Sequence, residues 1–458
     1  LFKIVVQKFG GTSVQDAEAM NRAMVIVRDT AINKKYRPLV VLSAAAGVTN
    51  ALIKISELAV RGEVEAALND IELLSVRHET MARELIDGKK LLGQTIAKLN
   101  DIWQHLRTLV RGVHLLGELT PKSRDQFQAM GELCSTTVFA AAFSERLKPK
   151  EIKVQFLDAR EFFVTSEDHT LARPLLPEIE KKITKAKASI SKGTVCVTQG
   201  FIGKTKEGVT TTIGRGGGDF SAAIMGVAIQ AEEIQIWTDV AGVFTCDPRI
   251  APAAHALESI SFNEASQLTY FGAKVLHPET IWPAVQKRIP VRVLSSKEPK
   301  LPGTTILFES VESEGLTGIA LKRNIVLIKV VSLSPLPNSQ PQQAVWDALS
   351  MSGIVPLAVS LSADSALYAF DDMRPITAMR QAVEGVAELH IASDRALISL
   401  VGSGLKSSSG IAAKIFKAVG GCNCEMISYG GSDTTINFVV HNSDAELVTK
   451  RLHRTFFE

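Results

Sequence analysis

Short apolar runs alternate with longer helix-patterned stretches over the first 300 residues. The runs at 4–9 (IVVQKF), 38–43 (PLVVLS), 153–158 (KVQFLD), 194–200 (TVCVTQG), 234–239 (IQIWTD) and 290–294 (PVRVL) are rich in β-branched residues. Several stay apolar through most of their length, as strands covered on both faces do. Helical stretches lie between them, the longest from about 53 to 147. This alternation predicts a layered α/β domain with a mainly parallel sheet, which places ligands at the carboxyl ends of its strands.

Beyond Pro299 the pattern changes. KEPKLPG at 297–303 reads as a linker, with two prolines and a glycine. A weak internal repeat follows. The first copy runs through 326–332, a helix over 342–353, then 354–360 and 366–371, and closes with a helix near 375–384. The second runs through 396–404, a helix over 410–421, then 422–429 and 434–440, and closes with a helix at 444–453. Gly353 matches Gly421 and Ala366 matches Thr434, both at a separation of 68 residues. Each unit reads βαββα with room for one more strand, a small ferredoxin-like sandwich occurring twice.

Charge adds little direction. Fifty-one basic residues face 48 acidic ones, a net of +3, so nothing argues for a nucleic-acid partner. With 46% hydrophobic and 22% charged residues the chain is ordinary for a folded protein and excludes disorder. No apolar run approaches the ~18 residues of a membrane helix. The apolar opening lacks a small-residue cleavage site and reads as a strand, not a signal peptide. The absence of a leading Met suggests a trimmed or processed start. Five cysteines make neither a disulfide framework nor a four-ligand zinc site, and fit small buried residues in a reducing cytoplasm. No metal ligand set is expected.

Three motifs carry chemistry. KFGGTS at 8–13 ends the first strand, and its glycines Gly10 and Gly11 and the following Thr12 can turn backbone N–H groups toward an anion. Lys8 supplies a compact cation; alone, the motif is equally a tight turn with a surface lysine. TTTIGRGGGDFS at 210–221 opens a helix with four glycines in five positions, too flexible to be filler. Within it Arg215 can grip a carboxylate or phosphate with paired hydrogen bonds, and Asp219 sits near the helix start, where it could be an N-cap. WTDVAGVFTCDPR at 237–249 puts polar groups and an aromatic just past a strand, or is simply a surface loop. Gly203-Lys204-Thr205 is no P-loop, because the required earlier glycine is Thr198. GSGLKS at 402–407 fails as a dinucleotide fingerprint at Ser407, with too little chain after it.

These motifs, with SAAAGVTN at 43–50, MGEL at 130–133 and FGAKVLHP at 271–278, occur in an order that resembles the aspartate kinases of the amino-acid-kinase superfamily. The paired tail repeats resemble ACT regulatory domains, and the likeness spans nearly the whole chain. The nearest resemblance is to the monofunctional, lysine-sensitive type. It implies a catalytic domain over 1–300 and ACT-like domains over 315–390 and 391–458. It also implies transfer of the γ-phosphoryl of ATP, with Mg²⁺, to the side-chain carboxylate of L-aspartate. That reaction opens the pathway to lysine, threonine and methionine, with possible feedback through the ACT tail.

By the same resemblance Lys8 and Asp219 are catalytic, Asp219 organising Lys8 and the reacting groups. Arg215 clamps the substrate α-carboxylate and Glu132 its ammonium, with Ser43, Thr49 and Gly218 lining that pocket. The nucleotide set is Lys8, Gly10, Gly11, Thr12, Thr238, Asp239, Phe244, Arg249, Lys274 and Val275. Without the resemblance, Glu132 would read as a solvated helical carboxylate and Lys274 as a surface charge. It further implies a cytoplasmic homodimer or larger assembly paired through ACT domains, with lysine or threonine as possible effectors. An inactive nucleotide-binding sensor and a kinase for another carboxylate are the alternatives.

The chain departs from the family at two site positions. Gly218 stands where a serine is common, and Phe244 where tyrosine is frequent, leaving a stacking face without its polar tip. In the first repeat, SPLPNSQP at 334–341 puts prolines where backbone N–H donors would hold an effector carboxylate. The second repeat keeps GSGLKSSSG at 402–410.

Overall fold

All six strands expected in the first 300 residues form, each within a residue or two of its expected place. The computed structural model describes residues 1–32, 35–147, 152–214, 216–273, 276–309, 315–334 and 339–458. Arg215, Lys274, Val275 and residues 335–338 lie outside this set. The chain divides into two units, Leu1–Gly242 with Leu276–Phe308, and Val243–Val275 with Glu309–Glu458. Residues 243–275, placed by the sequence motifs in the catalytic stretch, thus pack with the C-terminal unit.

The first unit begins with β1 (Lys3–Phe9), α1 (Ala17–Ile32) and β2 (Tyr36–Leu42). The long helical stretch resolves into α2 (Val48–Val60), α3 (Val64–Leu85), α4 (Lys89–Leu116) and α5 (Pro121–Leu147). Then come β3 (Val154–Leu157), α6 (Ala159–Phe162), α7 (Leu176–Ser191) and β4 (Val195–Gln199). A small hairpin of β5 (Ile202–Lys204) and β6 (Thr210–Thr212) leads into α8 (Gly217–Ile229) and β7 (Glu233–Thr238). β8 (Ser259–Ser261) and α9 (Phe262–Tyr270) belong to the second unit. α10 (Pro278–Gln286), β9 (Val291–Ser295) and β10 (Thr304–Leu307) complete the first.

Its strands run in the order β3-β4-β2-β1-β7-β9-β10, parallel except for β10, which pairs antiparallel with β9. β1, β2 and β4 are buried along almost their whole length, which is why they read as continuous apolar runs. Helices α1 and α5 pack on one face and α7, α8 and α10 on the other. The chain leaves β1 toward β2 on one side and later adds β7 on the other. The carboxyl ends of β1, β2 and β7 therefore meet at a switch point, where such sheets bind ligands.

The second unit continues with β11 (Gly315–Ser332), α11 (Gln340–Met351), β12 (Ala358–Leu361), β13 (Ser365–Phe370) and α12 (Pro375–Ala382). It ends with β14 (Ala387–Ser403), α13 (Ile411–Val419), β15 (Met426–Ser428), β16 (Thr435–His441) and α14 (Ala445–Phe457). The strands form one antiparallel sheet, β12-β13-β11-β14-β16-β15. β11 and β14 pair along their lengths, with register shifts around Ile325 and left-handed residues at Asn324 and Asp394. These irregularities divide each long strand between two sandwiches.

The missing strand of the second repeat is found here. Ile319, in the front half of β11, packs with Ile398, Leu400, Phe438 and Leu452 of the second core. Val326, Ile328 and Val330, in the back half, pack with Leu349, Tyr368 and Met379 of the first. The first repeat is thus inserted between the last strand of the second and the rest of it, an arrangement a linear repeat does not display. Ile319→Ala should destabilise the second sandwich by about 2–4 kcal/mol. Hydrogen exchange should then rise in β16 and the back half of β14 before β13; loss of protection in β13 first would contradict the assignment.

Candidate active site

Lys8 lies near the end of β1, one residue before the chain leaves the sheet. Its Nζ sits 2.6 Å from Asp219 Oδ1, with the two side chains only 11% and 17% exposed. Asp219 does not cap its helix. The residue before α8 is Gly216, whose φ of 74° favours glycine, and Asp219 stands in the first turn with its carboxylate turned to Lys8. Gly214 is left-handed as well, at φ 79°, a conformation that L-residues resist.

Gly218 fits closely. A Cβ there would lie 3.0 Å from Ser43 Oγ and 3.1 Å from Lys8 Cε. The lysine stem thus occupies space that the serine common at this position would contest.

Glu132 comes from the middle of α5 and is 3% exposed, so it is not the solvated helical carboxylate its sequence context alone favoured. Burial pushes its carboxyl up to about 8, against the opposing pull of the Ala44 and Glu132 backbone N–H groups and the Lys8 charge. Its Oε2 has no hydrogen-bond partner. The helix is pinned to the end of β2, where Ser135 Oγ donates to the Ser43 carbonyl at 2.7 Å.

Lys8, Ser43, Thr49, Glu132, Gly218 and Asp219 line a single cleft of about 260 Å³. Ala44, Phe201, Gly214, Gly216 and Gly217 complete its wall. The sequence reading did not single out Phe201. Its φ of 65° is unusual for an aromatic, and its N–H donates to Ser221 Oγ at 2.8 Å. No sequence motif marks it, although it sits just before the β5–β6 hairpin that leads to the glycine loop. Arg77 was also missed. From α3 it donates to the carbonyls of Gln15 at 2.7 Å and Ala46 at 3.1 Å, tying together the loops that follow β1 and β2.

Gly10, Gly11 and Thr12 follow β1 directly, beside the end of β7 with Thr238 and Asp239. The Gly10 N–H donates to the Trp237 carbonyl at 3.1 Å, so this amide is already engaged by the neighbouring strand. A short 3₁₀ turn, Gly11–Val14, separates the glycines from α1, and Asp16 accepts from the Ala19 N–H at 2.7 Å. The first motif therefore opens a 3₁₀ turn, and the start of α1 beyond it is capped by Asp16. Thr238 Oγ1 donates to Asp239 Oδ1 at 3.2 Å, and the Thr238 carbonyl accepts from Ser296 N at 2.7 Å.

Phe244 and Arg249 lie in the second unit, Phe244 bridged to Ala256 and Arg249 paired with Asp247 at 2.6 Å. Arg215, Lys274 and Val275 are outside the described residues. Pro341 occupies the first turn of α11, removing one N–H donor at that helix entry.

Residues 3–295 match the amino acid kinase family and residues 398–456 an ACT domain. The chain is 33% identical to lysine-sensitive aspartokinase 3 of Escherichia coli (strain K12), over 100% of both chains. It is 34% identical to the chloroplastic aspartokinase 1 of Arabidopsis thaliana, over 99% of this chain and 80% of that one. Among solved structures it resembles E. coli aspartokinase III in complex with aspartate and ADP, with a TM-score of 0.78, 32% identity and full coverage of both chains. Against the same enzyme with lysine and aspartate the TM-score is 0.82 at 31% identity, covering 99% of this chain and 100% of that one.

The raised Glu132 carboxyl has a consequence for stability. A group whose folded pKa lies above its unfolded value favours the fold most below the unfolded value, near 4.5, and that contribution is lost as pH rises through about 8. Glu132→Gln cannot ionise and should escape the loss. Its Tm at pH 9 should exceed the wild type's by a few degrees, the gap narrowing toward pH 5. Equal Tm values across that range would show that Glu132 ionises freely in the folded protein.

Proposed function

Because the chain belongs to the amino acid kinase family, as an aspartokinase, we propose that this cleft is where the γ-phosphoryl of ATP passes to the side-chain carboxylate of L-aspartate, giving 4-phospho-L-aspartate. The observation that carries the reading is the Lys8–Asp219 pair set beside buried Glu132 in one cleft with Ser43 and Thr49. Both reactants are anions, so catalysis is mainly positioning and charge compensation. A carboxylate acceptor is already ionised at neutral pH, and no general base is required. Lys8 offsets the charge on the transferring group, and Asp219 holds the ammonium in place. The loop from Gly214 to Asp219 holds the acceptor, with Arg215 taking its α-carboxylate. Glu132 takes its ammonium, with Ser43, Thr49 and Gly218 around it.

Lys8, Gly10, Gly11, Thr12, Thr238, Asp239, Phe244, Arg249, Lys274 and Val275 form the proposed nucleotide set. Among the described residues no group of three or more acidic, histidine or cysteine side chains could hold a metal alone. Mg²⁺ bound to nucleotide phosphates needs only one or two protein carboxylates, and Asp219, in the wall of the cleft, would supply one. When bound, the ion would neutralise phosphate charge.

The aspartokinase assignment over the full chain does not favour an inactive sensor. The finer reading places the enzyme in the cytoplasm, where ATP and a reducing environment suit its five free cysteines. It also makes the chain a homodimer or larger through its ACT unit, with lysine or threonine as effector there. Among the described residues no helix is long and apolar enough to cross a membrane.

Hydroxylamine trapping with ATP, Mg²⁺ and aspartate should yield aspartyl hydroxamate; none from folded protein would overturn the reading. Repeating the assay with lysine and with threonine tests the tail. Lys8→Ala should lower kcat by about a thousandfold or more with the fold intact. Near-normal turnover would remove Lys8 from its role. Glu132 must lose its proton before it can hold an ammonium, so the KM for aspartate should fall as pH rises from about 6.5 toward 8. In Glu132→Gln the KM should be high and this pH dependence absent.

A further inference from the structure

Outside the cleft, one carboxylate joins two of its walls. Asp125 lies in the second turn of α5 and is fully buried. Thr212 Oγ1 donates to its Oδ1 at 2.6 Å, and the Thr170 N–H lies 3.0 Å from Oδ1 and 3.2 Å from Oδ2. His169 Nδ1 sits 2.6 Å from Oδ2. Both oxygens are thus occupied by groups from the loop before α7 and from β6, and none of these residues lines the cleft.

What they adjoin does. Thr212 ends β6, two residues before Gly214, and its carbonyl accepts from the Ala172 N–H at 3.0 Å. Thr170 is left-handed at φ 71°, and next to it Leu171 is so close to Gly214 that a Cβ there would meet Leu171 Cδ2 at 2.8 Å. On the helix side, Glu132 follows Asp125 by seven residues, nearly two turns, on the same side of α5. The carboxylate therefore fastens the helix that carries Glu132 to the strand and loop that shape the glycine turn.

We propose that Asp125 is a positioning residue that sets the spacing between Glu132 and the glycine turn at Gly214, and through it the grip on the amino-acid acceptor. This rests on the reading that the cleft holds aspartate. The nucleotide residues proposed at the ends of β1 and β7 make none of these contacts with Asp125. Its loss should therefore act on one substrate.

The test is a KM comparison. Thr212→Val removes one charge-assisted hydrogen bond at near-constant volume, an effect of about tenfold. The KM for aspartate should rise about tenfold while the KM for ATP stays within about twofold, and Thr212→Ser should restore the wild-type value. Asp125→Asn should raise the aspartate KM further, and adding Thr212→Val to it should cost little more, since the two act through one contact. The Thr212 pair carries the test by itself if Asp125→Asn does not fold. An unchanged aspartate KM in Thr212→Val, or equal rises for both substrates, would overturn the proposal. Wild-type hydroxamate formation tests the underlying reading separately.

Discussion

A lysine ammonium held 2.6 Å from an aspartate, with a second carboxyl group buried nearby, organises the cleft of this protein. Removing these groups from water is costly, and the cost is offset only while their geometry holds. The surroundings are built for that end. Gly218 leaves room for the lysine stem, left-handed Gly214 and Gly216 bend the loop that delivers Asp219, and α5 packs close to the end of β2. A site that compensates two anionic reactants must be preorganised, because charges free to rearrange would solvate themselves instead.

The parallel sheet supplies the frame. Its strand ends at β1, β2 and β7 converge where the connections change direction, with Lys8 and Thr238 at the ends of β1 and β7 and Ser43 just past β2. Helical buttressing then fixes the loops relative to one another. Arg77 ties the loops after β1 and β2, Ser135 holds the Ser43 carbonyl, and Asp125 secures the approach to the glycine turn. These contacts come from helices far away in sequence. The long helical stretch therefore positions the site as well as covering the sheet.

In the second unit buried hydrogen bonds play a similar part. Glu264 completes a capping box with Ser261 at the start of α9 and also accepts from Thr317 and Ser403, joining that helix to β11 and β14. Thr245 bonds to buried His453 of α14, and its carbonyl accepts from the Ile319 N–H. Residues 243–275 belong with the C-terminal unit because of these contacts, although they follow directly on a motif at the end of β7.

The sequence by itself determined the local pieces. Parallel strands buried on both faces need unbroken apolar runs, so the six strands were legible, and glycine clusters marked the loop that no other residue type could form. The likeness to known kinases added Glu132, Ser43 and Thr49, whose own surroundings in sequence are bland. Tertiary structure decided whatever depends on distance through space. It turned Asp219 from a potential helix cap into the partner of Lys8, and it buried Glu132 enough to raise its carboxyl to about 8. It brought Phe201 to the cleft wall and Arg77 and Asp125 to the loops around it, and it gave the front of β11 to the second sandwich. Periodicity reports which face of an element is covered. It does not report which distant element covers it, because that choice belongs to packing among all of them at once.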